Sequence, residues 1–346
     1  MTKPYDTCAT CPGLAWEGYV PPSHSTMGGG SILLLGMAPA EREITLGRPF
    51  VGPSGELLDA MFSQAGIVRS RCTVDNVVRC RPPGNELSRH CPAAYEACRQ
   101  GTDHIIQATR PNLVVAFGNE PLQVMAGLTG IMSWRGSVIW SDRYGCKVIP
   151  VLHPSYFLNS GDWTLFRTTI GDLKKAAREA SSPVHQPWME DFLLGPGIEE
   201  IEQAFKHIRD SGVVTVDLEI DQGAIVYLGL AWSKHDAICI PLARPREDGQ
   251  ADLAYPAEET ELIWKLFHEL MSSPVVKVFQ NGADFDIPYL HRYGIYPTPP
   301  IHDTIHLHHL FQAELPHGLA FMASTLTAMS YWKHLGRAAD EKEEDK

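Results

Sequence analysis

The sequence has no run of about 18 or more apolar residues, so a membrane span is not expected. Its first residues, MTKPYDTCATC, lack the charged-then-apolar order of a secretory signal, which points to the cytoplasm. A basic surplus is missing too. The chain carries 29 Lys and Arg against 41 Asp and Glu, a net charge of −12. Residues 1–180 hold 17 basic and 15 acidic side chains, whereas 181–346 hold 12 and 26. Neither part is a polycation, so any nucleic-acid binding has to rely on local patches. Internal repeats are absent, and 346 residues suit two domains.

What is present is an alternation. Apolar runs bounded by turns lie at 31–37, 73–79, 112–118 and 147–153, and helical patterns fall at 55–66, 92–109, 119–128 and 164–180. Continuous Val/Ile/Leu runs fit strands buried on both faces, so residues 1–180 read as a doubly wound, parallel-sheet α/β domain. Residues 181–195, with two prolines and no periodicity, read as a linker. From 196 to 346 the pattern is a helix, three strands at 213–220, 224–232 and 237–242, a helix at 257–271 and a strand at 274–280. Helices near 284–293, 303–313 and 318–328 follow. That order suggests a mixed sheet. Ligands of doubly wound folds sit at the carboxyl ends of the strands, and GMAPA, NVVRCRPP and LHPSY follow such ends.

The stretch GRPFVGPSG, Gly47 to Gly55, fixes one ring, Phe50, among three glycines and two prolines. A core Phe in a tight loop explains it; so does a ring held against a flat ligand at little ordering cost. Asn76, at a strand end, is either a turn former or a side chain that offers a donor and an acceptor to a base edge. His153, before Pro154, is a structural His or a hydrogen-bond donor.

Together these residues resemble the uracil-DNA glycosylase superfamily, most closely its iron–sulfur family 4. That family's first motif runs G-E-A-P-G-x-x-E-D-x-x-G-x-P-F-V-G-x-A-G. It is matched here at Gly36, Ala38, Pro39, Glu43, Gly47, Pro49, Phe50, Val51, Gly52 and Gly55. The likeness continues at NVVRCRPPGN (76–85) and HPSYFL (153–158) and covers about residues 5–180. It implies a base rotated out of the DNA into a pocket. Phe50 would stack on the base, Asn76 read its edge, and His153 stabilise charge on the leaving uracil. Gly36, Met37, Ala38 and Ser155 would line the pocket. Tyr156, Phe157 and Leu158 would face the DNA groove or fill the vacated stack. Three positions depart from the motif: Met37 replaces a Glu, Ala40 a Gly and Ile44 an Asp. GMAPA is similar to the GLAPA of family 5. Methionine cannot orient water, so Glu43 is the remaining candidate for that task. Excision, and binding without cleavage, both remain open.

Six of the eight cysteines lie before residue 100. Four soft thiolates suit a 4Fe–4S cluster or zinc. The family resemblance implies Cys8, Cys11, Cys80 and Cys98 as ligands of a structural 4Fe–4S cluster, with zinc as the alternative. Cys91 is a possible substitute ligand, while Cys72, Cys146 and Cys239 read as buried thiols.

In the second half, VTVDLEID puts Asp217 and Glu219 two apart on a strand, hence on one face. Divalent metals would relieve their repulsion. With Asp286 in QNGADFDIPYL and the segment HDTIHLHHLFQAELPHGLAFMASTLT, this resembles DEDD-type 3′–5′ exonucleases of RNase H-like fold, in particular the proofreading domain of family A DNA polymerases. The resemblance implies that Asp217, Glu219 and Asp286 hold Mg²⁺ or Mn²⁺. Asp284 is the less favoured alternative, and Asp303 supports the fold. The family's Tyr-x3-Asp motif is missing, since Tyr331 is followed four residues later by Leu335. The exonuclease therefore reads as cut short, with weak or no activity expected. The domain order resembles the N-terminal part of bacteriophage family A polymerases. This implies uracil-containing DNA, single- or double-stranded, as partner, polymerase or replisome components as possible companions, and a bacterial or phage-infected host cytosol.

Overall fold

The computed structural model describes residues 6–11, 16, 18–25, 31–85, 92–185, 191–246 and 251–332. In chain order the first stretch gives β1 (Ile32–Gly36), α1 (Glu41–Leu46), α2 (Pro53–Ala65), β2 (Thr73–Asn76) and α3 (Pro92–Thr109). It continues with β3 (Leu113–Phe117), α4 (Asn119–Ala126), α5 (Ile131–Trp134), β4 (Ile139–Ser141), β5 (Cys146–Val151), α6 (Ser155–Ser160) and α7 (Phe166–Glu179). Then come β6 (Asp191–Leu194), α8 (Ile198–Ser211), β7 (Val213–Asp221), β8 (Ala224–Ala231), β9 (Asp236–Pro241), β10 (Ala243–Pro245) and β11 (Ala251–Leu253). The last are α9 (Ala257–Met271), β12 (Val276–Phe279), α10 (Asp286–Arg292), β13 (Ile301–Asp303), α11 (Thr304–Phe311) and α12 (Leu319–Leu326).

Two compact units result. One is Met1–His185 together with Ala320–Lys346; the other is Gln186–Leu319. The sequence had suggested that everything after 196 belongs to the second domain. Instead the described residues from Ala320 on pack with the first, for reasons of buried charge set out below.

The first unit is a five-stranded sheet in the order β2-β1-β3-β5-β4. All its pairs are parallel except the short edge pair β4–β5, which the sequence did not announce. Strands β1, β3 and β5 are buried along their whole length, as their continuous apolar runs require of a sheet covered on both faces. The one cation in these strands, Lys147, is buried but donates to the Glu179 carbonyl at 2.6 Å and to its carboxylate at 3.0 Å. Strand β1 lies between β2 and β3, so the winding reverses there. That leaves a crevice at the carboxyl ends of the strands.

The second unit is a six-stranded mixed sheet, β13-β12-β7-β8-β9-β6. Strands β7, β8 and β9 form an antiparallel meander; β12 runs parallel to β7, β13 parallel to β12 and β6 parallel to β9. Strand β6 arises in the range read as linker. On β7, Val214, Val216 and Leu218 face a core shared with Phe205 and Ile208 of α8 and Phe267 and Leu270 of α9. The alternate residues Thr215, Asp217 and Glu219 face outward. Among the described residues no helix is long and apolar enough to cross a membrane.

Candidate functional site

The loop after β1 is built around Glu43, although the sequence offered this residue as a candidate catalyst. The carboxylate accepts from the backbone N–H of Ala40 at 2.9 Å and from those of Val51 and Gly52 at 3.2 Å each. It thus joins the first turn of α1 to the entry of α2. Between these points Phe50 adopts a left-handed backbone (φ 53°), an uncommon state for a bulky residue. Several contacts hold it there. Arg69 donates to the Pro49 carbonyl at 3.0 Å and to the Phe50 carbonyl at 2.6 Å. A Cβ on Gly55 would stand 1.9 Å from the Phe50 carbonyl oxygen, so only glycine fits that position. The Phe50 ring is itself buried, 5.6 Å from both Phe117 and His153 between centroids.

Asn76 ends β2 directly opposite Gly36, the last residue of β1. A Cβ on Gly36 would meet the Asn76 amide oxygen at 2.4 Å and the Phe50 ring at 2.6–2.7 Å. The glycine therefore leaves the space in which amide and ring approach one another. The peptide around Asn76 is fixed because its N–H donates to Asp75 at 2.8 Å, and Asp75 is paired in the interior with Arg79.

His153 follows β5 by two residues. Its Nδ1 accepts from the Ser155 backbone N–H at 3.1 Å and lies 2.7 Å from the Ser155 hydroxyl. A backbone N–H can only donate, so Nδ1 carries the lone pair and the neutral ring carries its proton on Nε2. Burial pushes the pKa down to about 4, which keeps the imidazole neutral at physiological pH. The site thus contains a neutral N–H donor from just after β5, an amide from the end of β2 and a ring face from the loop between α1 and α2.

Met37 and Ala38 are packed differently from these three residues. Both lie against the buried cluster of Val78, Ala94 and Cys98. Of the other residues after His153, Phe157 is fully buried, whereas Leu158 and Trp163 are exposed.

The N-terminal turn Asp6–Thr10 carries Cys8, and the Cys11 N–H donates to the Cys8 carbonyl. The Thr7 hydroxyl fastens this turn to α3 through the Ala97 carbonyl at 2.6 Å. Cys98 of α3 is buried, and burial raises its pKa to about 11; neighbouring Cys11 and Cys80 push it in the same direction. Thiols from three separate segments are therefore neighbours, a soft donor set of the right composition for a cluster or zinc. None of the described cysteines is in a disulfide. Cys91 lies outside the described residues. Among the described residues no group of three or more His, Cys, Asp or Glu stands ready-made around a metal position.

In the second unit Asp286 starts α10 and is buried, with one carboxylate oxygen accepting from the Leu218 N–H at 3.0 Å. Leu218 lies between Asp217 and Glu219, so the bond draws Asp286 up to the acidic strand. Burial, then the Asp217 charge, raises the Asp286 pKa to about 6; burial and Asp217 also raise that of Glu219. The outward carboxylates of β7 border a cavity of about 330 Å³ shared with Phe192, Leu194 and Tyr227. Asp303 accepts from the backbone N–H groups of Asn281, Ala283 and Ile305. Its oxygens thus serve the fold. Asp284 is exposed and outside this arrangement.

A doubly wound domain with a ring, an amide and a neutral imidazole at its crevice, joined to a mixed-sheet domain with clustered carboxylates, defines a class of nucleic-acid enzymes. The comparisons with known proteins make the class specific. The uracil DNA glycosylase superfamily model matches residues 26–174, and a 3′–5′ exonuclease model matches residues 197–340. The type-4 uracil-DNA glycosylase of Thermotoga maritima is 37% identical over 148 residues, which are 42% of this chain and 75% of that protein. That of Sulfurisphaera tokodaii is 32% identical over 174 residues, 47% and 76% of the two chains. The chain belongs to the uracil-DNA glycosylase superfamily, and a 3′–5′ exonuclease-type domain is fused to it. Among solved structures, Escherichia coli RNase D, an exoribonuclease, aligns with a TM-score of 0.31 and 16% identity over 42% of this chain and 36% of that one.

Proposed function

We propose that the first unit recognises uracil in DNA and cleaves its N-glycosidic bond. The observation that carries this reading is the approach of Asn76 and Phe50 at Gly36, the end of β1, with His153 beside the Phe50 ring. An extruded uracil would stack on Phe50. The Asn76 amide would pair with its O4 and N3–H, a pattern that cytosine reverses. The His153 Nε2–H would donate to O2 as the C1′–N1 bond breaks and its electron pair moves into the base. Gly36, lacking a side chain, lets the Asn76 amide and the Phe50 ring come together, and Ser155 keeps the histidine proton on Nε2. Glu43 acts by holding the loop.

Cys8, Cys11, Cys80 and Cys98 would hold a 4Fe–4S cluster, or zinc, whose contribution is to cross-link the N-terminal turn, the loop after β2 and α3. In the second unit Asp217, Glu219 and Asp286 would hold Mg²⁺ or Mn²⁺, ions that activate water for phosphodiester hydrolysis. A replication polymerase is the setting in which we place the two activities, on the resemblance to phage family A enzymes.

The test is a uracil-containing oligonucleotide treated with the protein and then with alkali. Strand breaks at uracil, abolished by Asn76→Ala, are expected. Tight binding of the same oligonucleotide with its base left intact would favour a recognition module that does not cleave. No preference for uracil in either assay would reject the reading.

A further inference from the structure

The end of the exonuclease match, up to Trp332 among the described residues, packs inside the glycosylase-type unit. Its attachment is electrostatic and buried. Arg135 is fully buried and grips Asp172 of α7 through two hydrogen bonds, Nε to Oδ2 at 2.8 Å and Nη2 to Oδ1 at 2.5 Å. Its third nitrogen reaches the Thr325 hydroxyl at 3.3 Å, and its guanidinium lies 5.1 Å from the Phe321 ring centroid. The buried ammonium of Lys175, also on α7, donates to three carbonyls: Gly136 at 2.7 Å, Thr327 at 2.6 Å and Ser324. Two of these come from the C-terminal end of α12, where the helix dipole is negative. Further along, the Ser330 hydroxyl donates to the Val138 carbonyl at 2.5 Å, the Tyr331 N–H donates to the Ser137 hydroxyl at 3.1 Å, and the Tyr331 ring stands edge-on to Trp134.

Asp172 neutralises one of the two cations. The other is satisfied by carbonyls, two thirds of them from this segment. A buried ammonium stripped of such partners is costly. The loop that the segment grips also reaches the pocket. Gly136 (φ +73°) donates its N–H to the Pro150 carbonyl at 2.9 Å, three residues before His153. A Cβ on Gly136 would stand 2.4 Å from Asp172 and 2.9 Å from the Ser324 carbonyl oxygen.

We propose that residues 320–332 are a strap of the glycosylase-type unit. It docks in the site formed by Trp134–Val138 and α7, and it clamps the Gly136–Pro150 contact that positions the end of β5 and His153. The catalytic part of this statement rests on the function proposed above; the docking part does not. The second unit is then joined to the first by the chain at both its ends.

The test uses the full chain with a protease site inserted between Ala313 and Glu314. After cutting, the C-terminal piece is expected to stay bound through gel filtration, with amide exchange of residues 136–151 as slow as in the uncut protein. In Lys175→Met, and separately in Tyr331→Ala, the cut piece should be released. Exchange across 136–151 should then quicken about tenfold or more, as loss of a buried hydrogen-bond partner implies. On uracil-containing DNA, release should lower kcat with KM for the oligonucleotide little changed. Exchange and retention need no base excision, so they judge the strap even in a chain that leaves uracil intact. Release of the piece from the cut parent without faster exchange, or its retention in both variants, would overturn the proposal.

Discussion

Replacing Glu43 by glutamine separates a residue that holds a loop from one that performs chemistry. In the parent, one carboxylate oxygen serves Ala40 and the other serves both Val51 and Gly52, all through backbone N–H donors. Glutamine keeps a single acceptor oxygen. Turned toward Val51 and Gly52, it points its own N–H groups at the Ala40 donor, which is then left without a partner. Ala40 is exposed, so water takes up its N–H at little cost, but the two inner bonds to Val51 and Gly52 lose the strength of a charged acceptor, about 1–2 kcal/mol together. Glu43→Gln should therefore destabilise the first unit by about that amount and loosen the Gly47–Gly55 loop that seats Phe50. Base binding weakens as a result. Glu43→Asp, one methylene short of all three donors, should do at least as much damage despite keeping the charge. A general base predicts the reverse. Glutamine would then leave stability alone, slow cleavage by about 10²–10⁴ and remove the acidic limb of the pH–rate profile. Urea unfolding beside single-turnover cleavage of a uracil oligonucleotide over a pH series distinguishes the two. A glutamine variant as stable as its parent, but a thousandfold slower and without an acidic limb, would refute the structural role.

Gly36→Ala should abolish uracil binding while the unit stays folded, because the new Cβ would lie 2.4 Å from the Asn76 oxygen and 2.6 Å from Phe50. Equilibrium binding of uracil-containing DNA measures it, and undiminished affinity would show that the pocket lies elsewhere. Asp286 predicts a pH effect. Its folded pKa of about 6 is above the ordinary unfolded value of about 3.9, so its contribution is fully present below about pH 4. That contribution is lost as pH rises through 6, up to about 3 kcal/mol at neutral pH. Asp286→Asn, which can still accept from Leu218, should raise the melting temperature of the metal-free protein at pH 8 but not at pH 4. Mg²⁺ should stabilise the parent and not the variant. Melting curves with chelator or Mg²⁺ decide, and equal responses would remove Asp286 from the metal site.

The strands of the first sheet were legible because burial on both faces writes an unbroken apolar run, so 31–37 and 112–118 became β1 and β3 with little change. The outward positions of Asp217 and Glu219 followed from the two-residue period of β7. Short elements were not legible. Helix α1 has six residues inside a motif read for its chemistry, and β6 forms in a Pro-containing stretch because β9 offers it an edge. The motif residues Phe50, Asn76 and His153 could be picked out, but the work done by Glu43 could not. A carboxylate facing three backbone amides has no periodicity, and its residue type suits a catalyst equally well. The strap was hidden for a further reason. Its helix pattern continues the second domain smoothly, whereas Arg135 and Lys175, which claim it, lie about 150–190 residues earlier.

The way the pocket is held constrains the reaction proposed for it. Met37 is an apolar side chain packed against the cluster of Val78, Ala94 and Cys98, and Glu43 is surrounded by amides it already serves, so neither is placed to activate water. In the reaction proposed above, His153 is the group that acts on the leaving base, and burial keeps it neutral. A neutral donor stabilises charge that has moved onto the departing base; it does not make a nucleophile. On the proposed reading, then, the C1′–N1 bond must be well broken before water arrives. Positioning of the base then becomes the chief means of acceleration. That demand accounts for the cost the fold accepts here: a Phe in a left-handed backbone, a glycine at Gly55 with no room for any other residue, and an imidazole whose tautomer is dictated by the peptide that follows it.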